Sequence, residues 1–520
     1  MKTLILSAIR CSLMFLLPTV TYAISAQWDE APMSDDWNTA ANWKQNGVPN
    51  GRDDIATFGF STTLSVSISE DTEVNGIVLT AEAPPRRYVI RSENHTLTIS
   101  GTGITNNSGQ QSIVADAGGH IEFTNNASAT IEGGDTLFFS NLKALVSGGS
   151  GGVTTFSGDS HAANGDFFNH GGTFDGEEGG STIFSDTSHA DSASLMAFGG
   201  TNGGQGGKIL FQGKSDGGTS SVEVFGNGTL DLSNHDEIVG RFTIGSIAGD
   251  GKVLLNEERT LNLFIGGNNL DTTFSGVILG SRSSDALVKE GTGTLTLSGN
   301  TEFLGDFDIN GGVLRVAKGA TLTGGVSDIT IKGGVLQVDG TFKGGNTFIN
   351  ENGTLEGTGT HGVGDVEVRK GGRVIPGSDG APGSLTIDGG YSSGSEFATL
   401  KIQIAGTNPG DFSVLTVDGF ASLGGILEPV LLDGFMPKPG DTFDFLFYED
   451  HIGEFASIAN QFFGNLQWLI TDSDYGDRMV TLEVVSRASP VPDQGSTFVL
   501  LTLGLLGLVT CQRQLLRRHA

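Results

Sequence analysis

The feature that most constrains the fold is a phrase that recurs at a fixed spacing. Residues 155–162 read Thr-Phe-Ser-Gly-Asp-Ser-His-Ala, and residues 183–190, 28 positions later, read Ile-Phe-Ser-Asp-Thr-Ser-His-Ala. A looser copy, Leu-Phe-Gln-Gly-Lys-Ser, follows at 210–215. Internal repeats of about 20 to 50 residues usually stack as units that cannot bury their apolar side chains alone. The chain is therefore predicted to contain a repeat array.

A second phrase, glycine followed by any residue and then an apolar one, continues the pattern. Its copies are spaced 22, 19 and 19 residues apart and begin at Gly312, Gly334, Gly353 and Gly372. Short alternating strands lie close to these phrases, for example at 295–297 and 329–331. One or more short strands in each period of this length are typical of a β-solenoid.

Composition supports a β-rich chain. Glycine occupies 81 of 520 positions, and each interior glycine costs a helix about 1 kcal/mol relative to alanine. The 13 prolines and the absence of a strict three-residue glycine period exclude collagen. A hydrophobic fraction of 37% argues against disorder. Phenylalanines 156, 184 and 211 are expected to form an internal ladder with glycine at the corners. A set of small β-sandwiches is the alternative.

The N-terminus has the order of a secretory signal peptide. Lys2 and Arg10 precede the apolar run 11–20, and the segment ends in the small residue Ala23. We predict cleavage after Ala23 or slightly later. A short membrane anchor is the alternative, but about ten apolar residues are too few to span a bilayer.

The C-terminus predicts a short transmembrane helix over 496–511. The apolar run 498–511 is followed by Arg513, Arg517 and Arg518. Its helix would be about 21 Å long, which is marginal for a hydrocarbon core of about 30 Å. The basic tail orients the chain with its arginines in the cytoplasm. These features favour transient insertion into the inner membrane, with a permanent single-span anchor as the alternative.

The segment before this helix resembles a sorting motif. It resembles the VPDSG variant of the PEP-CTERM signals, and Gln494 stands where that pattern usually has serine. The resemblance implies recognition by an exosortase-type membrane protease that removes the tail. It further implies export to the cell surface or extracellular space of a Gram-negative bacterium that makes exopolysaccharide. The residues that carry the motif are Val491, Pro492, Asp493, Gly495, Ser496 and Thr497.

Residues 287–316 resemble an autotransporter-associated β-strand repeat. They run from Leu-Val-Lys-Glu-Gly-Thr-Gly-Thr-Leu at 287–295 to Ile-Asn-Gly-Gly-Val-Leu-Arg-Val at 309–316. Phe303 and Phe307 stand where the usual pattern has tyrosine and threonine. The resemblance implies the right-handed parallel β-helix of a secreted passenger.

The predicted fold class is therefore all-β, with a right-handed parallel β-helix and two flanking regions. Trp28, Trp37 and Trp43 would cap an open β-edge at the start, although Trp43 on a surface could instead stack on a sugar. Sharper alternation in 400–404 and 443–447 predicts an antiparallel terminal domain. The predicted segments are a signal peptide at 1–23, an N-terminal β cap region at 24–109, solenoid repeats at 110–390, a C-terminal antiparallel β-domain at 391–488 and the sorting signal at 490–520.

The repeated Ser-His pairs invite a hydrolase interpretation, with Ser160 or Ser188 as the nucleophile. Adjacent strand residues point to opposite faces, so neither serine can pair with its neighbouring His161 or His189. Recurrence at the repeat spacing favours an architectural role.

Paired carboxylates would be needed for glycoside hydrolysis. Alternate positions share a strand face, which makes Asp306 with Asp308 and Asp365 with Glu367 the candidate pairs. An ordinary solvated acidic face explains both pairs equally simply.

The sequence predicts no metal site and no cofactor. The glycine-rich loop 199–207 resembles calcium-binding nonapeptide repeats but lacks their aspartate, which leaves only weak surface calcium binding. Cys11 and Cys511 both lie in segments expected to be removed or embedded in the membrane. A net charge of −30 argues against nucleic acid as a partner.

The function predicted from these features is that of an exported, non-enzymatic β-solenoid at the cell surface or in the extracellular matrix. Its expected partners are extracellular polysaccharide or a neighbouring cell surface. The alternatives are a secreted polysaccharide-degrading β-helix enzyme, either a lyase or a glycosidase, and a permanently membrane-anchored periplasmic structural protein.

Overall fold

The computed structural model describes residues 23–45, 47–84, 87–132, 136–236, 240–326, 328–395, 397–472 and 478–487. The chain divides into two compact units, residues 1–347 and 348–520. In the described part, regular structure consists of β-strands and one short 3-10 turn, Ala40–Asn42. The strand Thr347–Ile349 spans the division between the units.

The first unit is built from three sheets whose described strand pairings are all parallel. Sheet A contains Ser25–Gln27, Gly51–Phe58, Thr72–Leu79, Thr96–Asn106, His120–Phe123, Ser128–Ile131, Val153–Phe156, Ser181–Phe184, Lys208–Phe211, Thr229–Asp231, Lys252–Leu254 and Val277–Leu279. Sheet B contains Ser65–Ser67, Val89–Arg91, Gln111–Ala115, Leu137–Asn141, Asp166–Asn169, Ser194–Ala197, Ser221–Val224, Ser246–Gly249, Thr272–Phe274, Thr294–Leu297, Val313–Val316 and Val335–Val338. Sheet C contains Gly240–Ile244, Leu261–Ile265, Ala286–Lys289, Asn300–Phe303, Asp306–Ile309, Thr321–Gly324, Ile329–Ile331 and Thr341–Gly344.

The sequence period is the length of one coil. Val153–Phe156 pairs in register with Ser181–Phe184, which pairs with Lys208–Phe211, so the repeated phrases lie directly over one another. Further along, Val313 pairs with Val335, the 22-residue spacing of the glycine phrases. Successive strands along the chain therefore lie in different sheets, and equivalent strands of successive coils stack in one sheet. This arrangement is that of a β-solenoid and not of separate sandwiches. The right-handed sense of the coil stays a prediction.

The predicted phenylalanine ladder is present inside the coils. Phe156 and Phe184 have ring centroids 5.0 Å apart and ring planes within 10°, and Phe211 stacks on Phe184 at 4.7 Å. Phe123 extends the ladder on the other side, 4.6 Å from Phe156. All four rings are fully buried. Each ring therefore packs against the equivalent ring of the adjacent coil, which leaves no gap between them.

A buried polar ladder accompanies it, which the sequence reasoning did not predict. The Nδ2 of Asn141 donates to the Oδ1 of Asn169 at 2.8 Å and to the Oγ1 of Thr182 at 3.0 Å. Thr154 Oγ1 donates to Asn141 Oδ1 at 2.6 Å. All four side chains are fully buried. Because a buried amide is costly unless it is hydrogen-bonded, the bonds between coils satisfy these groups and fix the register.

Glycine is required where one coil passes close to the next. A Cβ added to Gly180 would lie 2.1 Å from the carbonyl oxygen of Asn141, and one at Gly207 would lie 2.1 Å from that of Asn169. At another corner, Gly158 and Gly213 have φ of 67° and 62°, and Asp186 takes the equivalent place with φ of 55°. The glycine content thus reflects both close approach and left-handed backbone at the corners.

The three N-terminal tryptophans close the beginning of the core. Trp28, Trp37 and Trp43 are at most 1% exposed. The ring of Trp43 lies 5.1 Å from the rings of both Trp28 and Trp37, and all three contact Phe58. The capping interpretation is therefore supported, and the buried position of Trp43 rules out the sugar-stacking alternative. The strands within 24–109 already pair as solenoid coils.

The second unit contains further parallel coils and a short antiparallel end. Its strands are Thr354–Gly357, Thr360–Val363, Val366–Val368, Arg373–Ser378, Ala381–Pro382, Ser384–Ile387, Tyr391–Ser392, Thr399–Ile404, Val414–Ser422, Ile426–Leu431, Thr442–Ile452, Ser457–Ile458, Phe462–Phe463, Leu466–Asp472 and Met479–Ser486. Thr354 pairs with Arg373, which confirms the 19-residue spacing there.

The prediction of an antiparallel domain over 391–488 was wrong for its first half. Thr399–Ile404 pairs in parallel with Ile426–Leu431, and Val414–Ser422 pairs in parallel with Thr442–Ile452. Larger antiparallel pairings begin only where Thr442–Ile452 meets Met479–Ser486. Leu466–Asp472 pairs antiparallel with Met479–Ser486 on its other side. Alternation of apolar and polar residues has a period of two in both kinds of sheet, so the pattern could not distinguish them.

Several predictions concern residues outside the described part of the chain. These are the signal peptide before Ala23, the sorting motif at 491–497, the transmembrane helix at 496–511 and the arginines 513, 517 and 518. Among the described residues, no helix has the length and apolar character needed to cross a membrane.

The phenylalanine ladder should carry much of the stability of its coils. Replacing Phe184→Ala removes a ring that is stacked on both sides, and we expect a loss of about 3–5 kcal/mol in the free energy of unfolding. Urea denaturation would measure the loss of stability, and amide hydrogen exchange in residues 150–215 of the native protein would locate it. Phe174→Ala is the matched control, since Phe174 is 63% exposed and should change stability by less than about 0.5 kcal/mol. Equal losses in the two variants would contradict the ladder's role.

The second unit should lose stability in mild acid through His361. This residue lies fully buried in Thr360–Val363, and burial lowers the pKa of its imidazole from 6.5 to about 4. The unfolded chain therefore binds a proton as pH falls below 6.5, while the folded chain does so only near pH 4. We expect stability to fall by about 3 kcal/mol across that window and to be retained above it. Denaturation at pH 7, 5.5 and 4 would show a flatter profile for His361→Asn, and identical profiles would contradict the assignment.

Candidate functional site

The repeated Ser-His pairs are architectural in the structure. Ser160 and Ser188 point inward and are fully buried, whereas the side chains of His161 and His189 are 37% and 36% exposed. Ser188 Oγ donates to the carbonyl of Phe156 at 3.2 Å, in the coil before it. Serine and histidine thus lie on opposite faces, as expected from their adjacency, and no serine meets the histidine beside it.

The two histidines form an outer row of their own. Their rings stack at 4.9 Å with planes 17° apart. His161 Nδ1 lies 3.0 Å from Asp191 Oδ2, and His189 Nε2 lies 3.4 Å from Asp159 Oδ1. Each imidazole is therefore oriented by a carboxylate from a neighbouring coil.

The carboxylate pairs named from the sequence occupy ordinary surface positions. Asp306 and Asp308 share the outward face of one strand of sheet C, and burial together with the Asp306 charge raises the pKa of Asp308. Glu367 forms an ion pair with Arg369 at 2.9 Å. Asp365 Oδ1 accepts the backbone N–H of Gly390 at 2.7 Å. Asp365 and Glu367 thus bind neighbouring groups of the protein, the Gly390 backbone and the Arg369 side chain.

A polar surface lies on sheet C and begins within the sequence repeat at 287–316. Asn300 pairs with Thr321, which pairs with Thr341, and two residues along each strand Glu302, Thr323 and Lys343 follow the same register. The intervening Thr301, Leu322 and Phe342 are buried. We call the six outward residues the polar rows. Their signal in the sequence is the alternation within each strand, but only the register brings the three strands together.

An apolar groove of about 410 Å³ lies outside sheet B. Its walls include Leu142, Lys143, Leu145, His170 and Phe198. Burial lowers the pKa of His170, and Leu145 is 76% exposed. Neither the lining nor the position of this groove was apparent from the sequence.

An outward aromatic row passes this groove. Phe198 stacks on Phe168 with centroids 6.3 Å apart and planes within 2°, and Phe225 stacks on Phe198 at 5.9 Å. Rings stacked in this way cover one another's faces. The row therefore presents ring edges, whereas stacking on a sugar or a base requires an open face.

The loop beside the groove is organised by one buried carboxylate. Glu177 Oε2 accepts the backbone N–H groups of Thr173 at 2.7 Å and Phe174 at 3.2 Å, and it binds Lys143 Nζ at 3.0 Å. The N–H of Thr173 and the ammonium of Lys143 lower the pKa of Glu177 to about 2. The carboxylate thus remains charged over the physiological range and ties two adjacent loops together.

The described residues contain no group of three or more His, Cys, Asp or Glu side chains that could hold a metal ion. The glycine-rich loop at 199–207 connects sheet B to sheet A, and Asn202 and Gly203 there have φ of 47° and 88°. A Cβ at Gly206 would lie 2.3 Å from the carbonyl oxygen of Asn227. These glycines therefore serve close packing between coils.

Glu177 should control the mobility of its loop. In Glu177→Gln the lost charge weakens four hydrogen bonds to Oε2, including one from the Thr173 hydroxyl, so amide exchange in 173–178 should accelerate about tenfold or more. Exchange at the buried strand 181–184 should stay unchanged. Glu178→Gln is the matched control, because Glu178 is exposed. Hydrogen exchange with mass spectrometry gives the comparison, and equal protection of the loop in all three proteins would count against the assignment.

Two family models match parts of the chain, and both confirm resemblances seen in the sequence. Residues 287–316 match the passenger-associated-transport-repeat, which in the structure spans the strands from Leu287 to Val316. Residues 490–515 match the VPDSG-CTERM motif. No curated protein matches the chain. The chain therefore carries a passenger-type repeat and a VPDSG-CTERM motif, a combination that indicates an exported surface protein.

Proposed function

We propose that this protein is a non-enzymatic β-solenoid of the cell surface or extracellular matrix, which associates with exopolysaccharide through the polar rows on sheet C. The observation that carries the proposal is the register of those rows. Asn300, Thr321 and Thr341 repeat one kind of chemistry from coil to coil, at about 4.8 Å per strand. A linear polymer with repeated hydroxyl groups fits such a surface better than a compact ligand does.

The polar rows are better suited to sugars than the other outward faces of the same coils. Each of the six positions carries a hydrogen-bonding side chain, whereas the outward residues of sheet B interrupt its polar positions with the apolar Val313 and Val335. The Oδ1 of Asn300 accepts the backbone N–H of Thr321 at 3.2 Å, which orients the amide. Hydroxyl and amide groups both donate and accept, so they match the hydroxyls of a polysaccharide.

The charge of the chain determines which polysaccharide is favoured. A net charge of −30 repels an acidic polymer at low ionic strength. We therefore assign a neutral polysaccharide as the direct ligand. An acidic exopolysaccharide would bind only with a divalent cation such as calcium between the two.

Export and display follow from the two ends of the chain. In this proposal the signal peptide directs the chain through the inner membrane of a Gram-negative bacterium. The C-terminal helix holds it there transiently until an exosortase-type protease removes the tail. The protein then contributes to adhesion or biofilm structure outside the cell. The alternatives are retention of the tail as a permanent anchor and a polysaccharide-degrading activity at one of the two carboxylate pairs.

A binding experiment tests the role of the polar rows. The exported full chain is mixed with the host exopolysaccharide and with a neutral glucan, and bound protein is measured by co-sedimentation. The triple variant Thr321→Val, Thr323→Val and Thr341→Val keeps the strand shape but removes three hydroxyls. At about 1 kcal/mol for each lost hydrogen bond, affinity should fall at least tenfold.

The matched control is the triple variant Thr273→Val, Thr294→Val and Thr296→Val, whose positions face outward on sheet B. It should bind like the unaltered protein. Equal loss in both triple variants, or no loss in either, would overturn the assignment of the polar rows. A rise in reducing ends during the incubation would overturn the non-enzymatic proposal.

The sorting step has its own test. Mass spectrometry of the protein isolated from its native cells, with cell fractionation alongside, locates the C-terminus. A chain that ends near Pro492 and is found outside the inner membrane is expected. A chain that ends at Ala520 in the inner membrane would contradict tail removal and the extracellular role.

A further inference from the structure

A buried carboxylate lies beside the first residues of the described chain. Asp54 is 6% exposed. Its Oδ1 accepts the backbone N–H of Ile24 at 2.6 Å, and its Oδ2 accepts that of Asn50 at 3.1 Å. Among the described residues, no lysine, arginine or histidine forms an ion pair with Asp54, although thirteen such pairs occur elsewhere. A buried charge without an opposite charge is costly.

The register of the first strand explains why Ile24 meets Asp54. Ser25 pairs with Ile55 and Ala26 with Ala56 in a parallel ladder. Extending this register back by one residue places Ile24 beside Asp54, which lies within the strand Gly51–Phe58. Ala23 precedes them and is exposed.

The same register selects one of the cleavage positions that the sequence left open. Cleavage after Ala23 leaves Ser25–Gln27 complete. Cleavage after Ala26 would remove two of the three residues that pair with Gly51–Phe58. The structure is therefore compatible with removal of the leader directly before Ile24.

We propose that Asp54 is a receptor for the new N-terminus created by leader removal. A signal-peptide-cleaving protease hydrolyses the Ala23–Ile24 peptide bond. Water supplies the oxygen of the Ala23 carboxylate, which departs with the leader, and Ile24 gains a free α-amino group. This group is protonated below its pKa of about 7.7–8.0. The resulting ammonium replaces the neutral amide against Asp54 Oδ1, and the buried carboxylate gains its opposite charge.

The geometry needs little change for this exchange. The nitrogen of Ile24 already lies within hydrogen-bond distance of the carboxylate, and charge-assisted bonds are stronger than neutral ones at similar length. A cavity of about 400 Å³, lined by Ala23, Ile24 and residues 50–54, adjoins the two groups. The cavity leaves space for water to accept hydrogen bonds from the remaining N–H groups of the ammonium. The first coil would thus reach its full stability only after processing.

A thermodynamic cycle tests the proposal. The full chain is exported with its own leader in two forms, unaltered and with Gly-Ser inserted between Ala23 and Ile24, so that the second form keeps the amide at Ile24 but moves the ammonium away. Asp54→Asn is made in both forms. In the unaltered form it should lower the Tm of the first unfolding transition by about 5 °C, because it breaks a buried pair. In the extended form the shift should be no more than about 1 °C.

Asp53→Asn is the matched control, since Asp53 is exposed next to Asp54, and it should shift neither form. Equal shifts for Asp54→Asn in the two forms would overturn the proposal. So would a mature chain that mass spectrometry shows to begin at any residue other than Ile24.

A second measurement keeps the proposal testable if Asp54→Asn does not fold. An amine-reactive reagent at pH 7 should label the α-amino group of native unaltered protein at least about tenfold more slowly than that of the Gly-Ser form. Equal labelling rates would overturn the ion pair without any substitution at Asp54.

Discussion

The structure depends on one geometric constraint: in a stack of parallel coils, each inward side chain lies directly over its own counterpart. Strands about 4.8 Å apart bring equivalent residues into van der Waals or hydrogen-bond distance. Flat rings then stack on flat rings, as Phe156 does on Phe184. Amides bond to amides, as Asn141 does to Asn169. Each inward position therefore favours a residue type that packs well against the same residue type in the next coil, and this is why the sequence repeats.

The same constraint separates the inside of the coils from the outside. Inward positions must match from coil to coil, and glycine must stand wherever the backbones nearly touch, as at Gly180 and Gly207. Outward positions carry no such requirement. A row of hydrogen-bonding residues on the outside, such as Asn300, Thr321 and Thr341, is consequently not required by the packing of the core. This difference makes outward rows informative about binding in a solenoid, whereas inward rows are informative only about stability.

Much of the fold could be predicted from the sequence because, in a solenoid, the spacing of the repeated phrases equals the spacing of residues that pair between successive coils. The 28-residue recurrence around Phe156 and Phe184 gave both the coil length and the ladder. The asparagine ladder was missed although Phe139 and Phe167 stand two residues before Asn141 and Asn169, because polar side chains are expected on the outside of a strand. The parallel pairing of Thr399–Ile404 was also missed, because alternation marks strands without indicating their direction. The polar rows and the Ile24–Asp54 contact depend on which strands are neighbours, and short strands do not reveal that by composition alone.

The end of a repeat array differs from its interior, because one face of the terminal coil is not covered by another coil. An inner coil is covered on both sides by equivalent residues, but the first coil has no predecessor and must be closed by residues of another kind. The tryptophan cluster does this for the apolar interior, where Trp43 lies against both Trp28 and Trp37. Asp54 would stabilise the same end in a second way, because the strand Ser25–Gln27 is only three residues long and pairs, among the described strands, with Gly51–Phe58 alone. A strand so short gains little from its ladder, so a charged anchor directly before it would contribute more there than at any inner coil. In the proposal made above, leader removal would itself supply such an anchor, since it would create a positive charge at an end of the coil stack.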